Sequence, residues 1–261
     1  FIYVKKFKGE KDMTAIIGHL FEGGVFVSAD TRRIFEMNID KYKENVSEKF
    51  EKILTRKIYK LTDTIAIAVA GTASESGPLQ EIQWNVNNSM KKGEIEALII
   101  RTFRKYSKYG SVNEMLLFGM DEGKSFLVHI DFKLNTKNLE AGAFIGIADE
   151  EYNQIANDMQ LKEQSTFDDV LYLDVWAQLC FNKIIKEALP NMAKNEEDKE
   201  AKKIILSSVY YPIDMVIIRK NEENFILKGV NTLADSENNI EQFEGGIEIG
   251  ELPDDSFAIK I

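Results

Sequence analysis

Two apolar runs separated by a glycine pair occupy residues 13–33, "MTAIIGHLFEGGVFVSADTRR". Residues 14–21 and 24–29 each have the length of a β-strand, and the second run is nearly all apolar, as in a strand that is buried on both faces. Glu22-Gly23-Gly24 lies between them and predicts a tight hairpin, because glycine readily adopts the positive φ that such turns need. The strand pattern does not explain the charged cluster Asp30-Thr31-Arg32-Arg33 that follows the second run.

The rest of the chain predicts strands and helices in alternating groups. Strand patterns lie at 57–72 (two arms around 62–64), 113–120, 124–131, 142–147 and 213–230, the last as a hairpin that turns at 221–224. Helical spacing lies at 73–90, 94–107, 149–159 and 168–188, with Pro190 expected to end the last helix, while the charged stretches 36–54 and 194–203 fit either a helix or a loop. Hairpin connections predict mainly antiparallel sheets, and two helices inserted twice between strand groups predict a layered α+β architecture.

Composition limits the partners. A net charge of -10 and a pI of about 5.0 argue against a nucleic-acid-binding surface. Cys180 is the single cysteine and the two histidines form no cluster with it, so we expect no disulfide within the chain, no metal site and no cofactor. No apolar run approaches the roughly 18 residues of a membrane span, and no secretory signal pattern is present. We therefore expect a cytoplasmic protein that does not contact a membrane.

In local sequence and in the order of its elements, the chain resembles the proteasome β-subunit family of threonine-type N-terminal nucleophile hydrolases, as a divergent bacterial-type member. In that family a threonine opens a strand, a Gly-Gly-type turn follows nine residues later, and an Asp-Ser/Thr-Arg motif ends the returning strand sixteen residues after the threonine. Thr14, Gly23-Gly24 and Asp30-Thr31-Arg32 keep this register. Three further segments resemble family segments: "RKIYKL" (56–61), "AVAGTASES" (68–76) and "LLFGMDEGKSFLVHID" (116–131).

The resemblance implies a fold and a division of the chain. The implied fold is a four-layer αββα sandwich of two mainly antiparallel sheets over residues 14–230. Residues 1–13 would be an N-terminal extension or propeptide, and residues 231–261 a C-terminal tail packed on the domain. The implied activity is hydrolysis of peptide bonds in a protein or peptide substrate, within a ring or stacked oligomer of the chain.

The resemblance also implies the site residues. A threonine hydroxyl is a weak nucleophile that needs a neighbouring base, and an α-amine with a pKa near ~8 can serve when the threonine is N-terminal. Thr14 would be that residue. Lys57, expected on a strand beside that of Thr14, would lower the pKa of the amine, and Asp30 would hold the lysine. The backbone N–H of Gly71 would stabilise the oxyanion.

Three departures from the family pattern keep other functions open. Thr14 follows Met13, so its amine is free only after cleavage there, or after translation begins at Met13 and that residue is removed. The interval from Asp30 to Lys57 is longer than in the family, and we expect the charged insertion near 36–52 at the mouth of the cleft. Ile147 stands where the family has a serine, and the segment around Ser207-Ser208 lacks the aspartate of the family.

The alternative functions are a non-catalytic structural subunit with the same fold and an amidase that acts on non-peptide substrates. Each site residue also has a structural interpretation. Thr14 is a common strand residue, and Asp30 suits a salt bridge with Arg32 that closes the end of a strand. Lys57 lies in a basic stretch in which one inward-facing lysine is not surprising, and Gly71 suits a strand-to-helix turn.

Overall fold

The computed structural model describes residues 14–21, 24–30, 53–54, 57–71, 76–106, 113–147, 170–209, 213–219, 228–234, 240–248 and 259–260. The strands are β1 (Ala15–Phe21), β2 (Gly24–Asp30), β3 (Ile53–Leu54), β4 (Ile58–Lys60), β5 (Ile65–Gly71), β6 (Asn113–Asp121), β7 (Lys124–Ile130), β8 (Thr136–Asn138), β9 (Gly142–Gly146), β10 (Ile213–Arg219), β11 (Lys228–Ala234), β12 (Ile240–Glu248) and β13 (Ile259–Lys260). The helices are α1 (Ser76–Asn85), α2 (Lys92–Tyr106), α3 (Val170–Lys183), α4 (Leu189–Lys194) and α5 (Lys199–Ser207), with a π-helical turn at Ile184–Ala188.

Two antiparallel sheets form the centre of the fold. The first has the strand order β10-β2-β1-β9, and the second has the order β4-β5-β6-β7-β8. Strands β1 and β2 form the predicted hairpin, with Ile16 opposite Ala29 and Phe21 opposite Gly24. Two smaller antiparallel pairs, β11–β12 and β13–β3, complete the described strands.

Side-chain alternation along the strands builds three apolar layers. Val25, Val27 and Ala29 on one face of β2 pack between the two sheets against residues of β5 and β6. Phe26, on the opposite face of β2, belongs to a second cluster with α3, which includes Leu173. A third cluster joins the outer face of the second sheet to α1 and α2. Because both faces of β2 are buried, its sequence is nearly continuously apolar.

The four layers are therefore helices, sheet, sheet and helices, which confirms the predicted α+β sandwich. The predicted helices at 73–90 and 94–107 correspond to α1 and α2, and the predicted hairpin at 113–131 corresponds to β6 and β7. The expected insertion at 36–52 and the expected helix at 149–159 lie outside the described residues. The expected division of the chain at residues 13 and 230 remains a prediction, although β11 runs across residue 230.

Pro190 does not end the helix, contrary to expectation. The π-helical turn follows α3 directly, and the Leu189 N–H donates to the Ile184 carbonyl, five residues back. Pro190 then lies in the first turn of α4. A proline is tolerated there because its missing N–H would have no partner within that helix. The helical path therefore continues to Lys194.

The turn of the predicted hairpin over 213–230 lies outside the described residues, and its two strands, β10 and β11, contact each other. Strand β10 pairs with β2, from Ile213 opposite Asp30 to Arg219 opposite Gly24, whereas β11 pairs with β12. The apolar pattern identifies a strand, but the strand's partner depends on residues far away in the sequence.

Gly24 is required for a different reason from the one expected. It is not among the residues with positive φ, and Gly23 lies outside the described residues. A Cβ built on Gly24 would lie 1.9 Å from the carbonyl oxygen of Ile218 on β10. The glycine therefore permits close approach of two backbones.

No helix in the described part of the chain is both long and apolar enough to cross a membrane.

Candidate active site

A buried ion pair joins the two sheets at one end of the sandwich. The Lys57 Nζ lies 2.8 Å from each carboxylate oxygen of Asp30. Asp30 is the last residue of β2 in the first sheet, and Lys57 directly precedes β4 in the second. Their side chains are 0% and 5% exposed. Two charges at this depth require each other, since an unpaired buried charge is strongly destabilising.

Asp30 also reaches the backbone next to Thr14. Its Oδ1 accepts a hydrogen bond from the Ala15 N–H at 2.9 Å. One carboxylate therefore holds both the ammonium of Lys57 and the peptide group that follows Thr14. Thr14 itself is buried, with 6% of its surface exposed. The structure thus brings Thr14, Asp30 and Lys57 to one end of the sandwich.

The strands of Thr14 and Lys57 do not lie side by side, contrary to expectation. Strand β1 belongs to the first sheet and β4 to the second. The lysine approaches the threonine region from the facing sheet, through Asp30, rather than from a neighbouring strand. A long side chain at the end of a strand can span two packed sheets, which are about 10 Å apart.

The backbone N–H of Gly71 points toward the edge of β5 on which Lys57 lies. The Val69 N–H donates to the Lys57 carbonyl at 2.9 Å. Amides two residues apart on a strand point to the same side, so the Gly71 N–H has the same direction at the end of β5. On its other side, Gly71 is paired in register with Asn113 of β6. Gly71 therefore lies at the same end of the fold as Asp30 and Lys57.

Sequence reasoning did not assign a role to Gly146, and it considered Ile147 only as a replacement for serine. The Ile147 N–H donates to the Thr14 carbonyl at 2.8 Å, and Gly146 is paired in register with Ala15. The signal in the sequence was a glycine within the predicted strand "GAFIGI", since such a glycine often marks a close approach of backbones.

The structure describes two of the positions that depart from the family pattern, Ile147 and Ser208. Ile147 is 2% exposed and belongs to the apolar cluster beneath α3. The Ser208 hydroxyl donates to the Ile205 carbonyl at 2.7 Å, at the end of α5. Ser208 is therefore bonded within its own segment. The cluster residues Thr31 to Arg33 lie outside the described residues.

Comparison with known proteins identifies the fold. No family model matches the sequence, and no curated protein matches it. Among solved structures, the chain is similar to a Gly-1 mutant of Anbu from Hyphomicrobium sp. strain MC1, with a TM-score of 0.57 and 15% identity over 86% of this chain and 89% of that one. It is also similar to the Anbu complex of Pseudomonas aeruginosa in a helical assembly, with a TM-score of 0.61 and 16% identity over 86% and 88% of the two chains.

These findings agree with the sandwich described above and establish a proteasome-like fold, which the chain shares with the Anbu proteins. They also correct the family assignment made from the sequence. Membership of the proteasome β-subunit family is wrong, because no family model matches and the similar structures described above are Anbu proteins. At 15–16% identity the likeness defines the fold alone.

Proposed function

We propose that this chain is a threonine-type N-terminal nucleophile hydrolase that cleaves peptide bonds, with Thr14 as the nucleophile once its α-amine is free. The observation that carries the proposal is the buried carboxylate of Asp30, which holds Lys57 and the Ala15 N–H at once. Such an arrangement keeps an ammonium close to the backbone of the nucleophile. A nearby ammonium favours the neutral, basic form of an α-amine.

The reaction follows from these groups. The Thr14 hydroxyl attacks the substrate carbonyl, and its proton passes to the α-amine of the same residue. The oxyanion that forms accepts a hydrogen bond from the Gly71 N–H, and loss of one such donor typically costs about 3 kcal/mol. Collapse expels the leaving amine, which takes the proton, and leaves an ester on Thr14. Water then attacks the ester and releases the second product.

The first test combines mass spectrometry of the purified chain with a peptide epoxyketone, which reacts with both the hydroxyl and the amine of an N-terminal threonine. We expect an N-terminal Thr14 and one adduct on it. Thr14→Ala should give no adduct, and Lys57→Met should form it at least tenfold more slowly. Thr136→Ala, which changes an exposed threonine on β8, is the matched control. A peptide bond that persists before Thr14, together with no adduct, would refute the proposal.

A second candidate function is a non-catalytic structural subunit. Ile147 supports it, because an apolar side chain stands where a supporting hydroxyl was expected and packs into the cluster beneath α3. The bonding of Ser208 to its own segment supports it as well. In this case Thr14→Ala would leave the cellular role unchanged. An amidase with a non-peptide substrate would instead label with the epoxyketone but leave peptides intact.

We further propose that the chain assembles with copies of itself. One of the similar solved structures is a helical assembly of an Anbu complex. Trp84 on α1 is 76% exposed, and Trp176 on α3 is 4% exposed. In a Trp176→Phe variant Trp84 is the remaining tryptophan, so quenching of its fluorescence by acrylamide reports on the surface of α1. Size-exclusion chromatography with light scattering gives the mass directly. A monomer of 29.8 kDa at all concentrations would contradict self-assembly. The cytoplasmic location and the absence of a cofactor remain predictions.

A further inference from the structure

We propose that Gly146 and Ile147 form a backbone clamp that positions Thr14 for its reaction, and that this clamp is in place before the α-amine is released. The proposal rests on the proposed function, because it concerns the geometry of the same nucleophile. Both residues act through the Thr14 carbonyl and are therefore positioning residues.

The clamp begins with the register of β1 and β9. Ala15 lies opposite Gly146, and one step further the Ile147 N–H donates to the Thr14 carbonyl at 2.8 Å. On the other side, the N–H of the same Thr14–Ala15 peptide group donates to Asp30. Both polar ends of this peptide group are therefore held by groups outside β1. A peptide group is planar, so holding its carbonyl and its N–H fixes the orientation of the bond from the carbonyl carbon to the Cα of Thr14.

Gly146 makes this approach sterically feasible. Its φ of +102° lies in the region that residues with a side chain rarely adopt. A Cβ built on it would lie 1.8 Å from the Thr14 carbonyl oxygen and 2.8 Å from the Thr14 carbonyl carbon. Both obstructing atoms are backbone, so no side-chain rotation relieves the contact. Any other residue at this position must displace the Thr14 carbonyl.

The side chain of Ile147 connects the clamp to the helical layer. It belongs to the cluster that contains Ala15, Leu173 and Trp176. The amide that holds the Thr14 carbonyl is thus anchored by packing beneath α3. None of these contacts uses a residue that precedes Thr14, so cleavage before Thr14 would free the amine without disturbing the clamp.

The experiment compares Gly146→Ala with Gly18→Ala in the full chain. Gly18 lies on β1, and the three atoms nearest to its added Cβ would be side-chain ends of Leu116 and Leu127, 2.9 Å away at the closest. Both variants should lose thermal stability. With a fluorogenic peptide, Gly146→Ala should lower kcat about 100-fold with KM changed less than threefold, because small displacements of a nucleophile cost that much. Gly18→Ala should keep kcat within threefold of wild type.

Amide hydrogen exchange of the wild-type chain tests the clamp without any activity. The Ile147 amide should exchange at least 100-fold more slowly than an unprotected amide, and it decides the matter if Gly146→Ala fails to fold. A fast-exchanging Ile147 amide, or an undiminished kcat in Gly146→Ala, overturns the clamp and leaves the proposed function standing. A wild-type chain with an N-terminal Thr14 that never reacts with the epoxyketone overturns the proposed function, and with it the catalytic role of the clamp.

Discussion

Removal of one partner of the Asp30–Lys57 ion pair should destabilise the protein far more than removal of both. Asp30→Asn removes the carboxylate that lies against the buried Lys57 ammonium, and Lys57→Met removes the ammonium that lies against both oxygens of the Asp30 carboxylate. Breaking a buried pair in this way typically costs about 3–5 kcal/mol. In a chain of this size about 1 kcal/mol corresponds to roughly 2–4 °C in Tm, so each single variant should melt on the order of 10 °C lower.

The double variant Asp30→Asn/Lys57→Met should recover most of this loss. It places no charge at either position, and the amide oxygen of the asparagine introduced in place of Asp30 can still accept the hydrogen bond from Ala15. Neutral replacements of a buried pair are often close to neutral in stability, so the double variant should lose only about 1 kcal/mol. The coupling energy, which is the sum of the two single losses minus the double loss, should then be about 5 kcal/mol or more. The assay is urea unfolding followed by far-UV circular dichroism, with calorimetry for Tm.

The exposed pair Lys60–Asp63 provides the control. Its charged atoms lie 2.9 Å apart, but the two side chains are 25% and 60% exposed. Solvent screens such pairs, and each single change there should cost less than about 1 kcal/mol. Strictly additive losses in the Asp30/Lys57 cycle, or single losses as small as those of the control, would show that the pair does not join the sheets energetically.

Three further predictions concern other parts of the structure. Burial raises the pKa of Cys180 to about 12. At pH 8 the thiol should therefore not react with DTNB in the folded chain, and it should react fully in 6 M guanidinium. Rapid reaction of the thiol in the folded chain would contradict its burial. The pKa of Asp131 is lowered, first by a hydrogen bond from the Asn135 side chain. The carboxylate therefore contributes stability above its unfolded pKa of about 3.9, and this stability is lost as pH falls through the lower folded pKa. The difference in unfolding free energy between wild type and Asp131→Ala should shrink below pH 4, and a constant difference would be evidence against this contact. Gly24→Ala should prevent close pairing of β2 with β10, because the added Cβ meets the Ile218 carbonyl. It should lower Tm more than the same change at Gly93, where an added Cβ would meet no neighbouring atom within 4 Å; equal Tm values would count against the steric argument.

Local patterns in the sequence predicted much of the fold. Strand alternation and helical spacing depend on neighbours two to four residues away, so β1, β2, α1 and α2 were predicted near their observed bounds. The resemblance suggested Asp30 and Lys57 as partners, and the structure brings them together. The catalytic roles assigned to these residues remain proposals.

Pairings between distant parts of the chain were not predictable from those patterns. The sequence identified β10 and β11 as strands but did not identify β2 and β12 as their hydrogen-bonding partners. Pro190 predicted the end of a helix, but the π-helical turn joins α3 to α4 and Pro190 lies in the first turn of α4. In both cases the outcome depends on contacts that no local rule contains.

By itself the sequence determined the apolar hairpin that carries Thr14 and Asp30, since alternation and turn residues act over a few positions. Only the tertiary structure decided that Lys57 reaches Asp30 from the facing sheet and that Gly146 lies against the Thr14 carbonyl. Asp30 and Lys57 are 27 positions apart in the sequence, and Thr14 and Gly146 are farther apart still. Their geometry follows from how two sheets pack and how the strands pair, and packing is a property of the whole chain rather than of any segment.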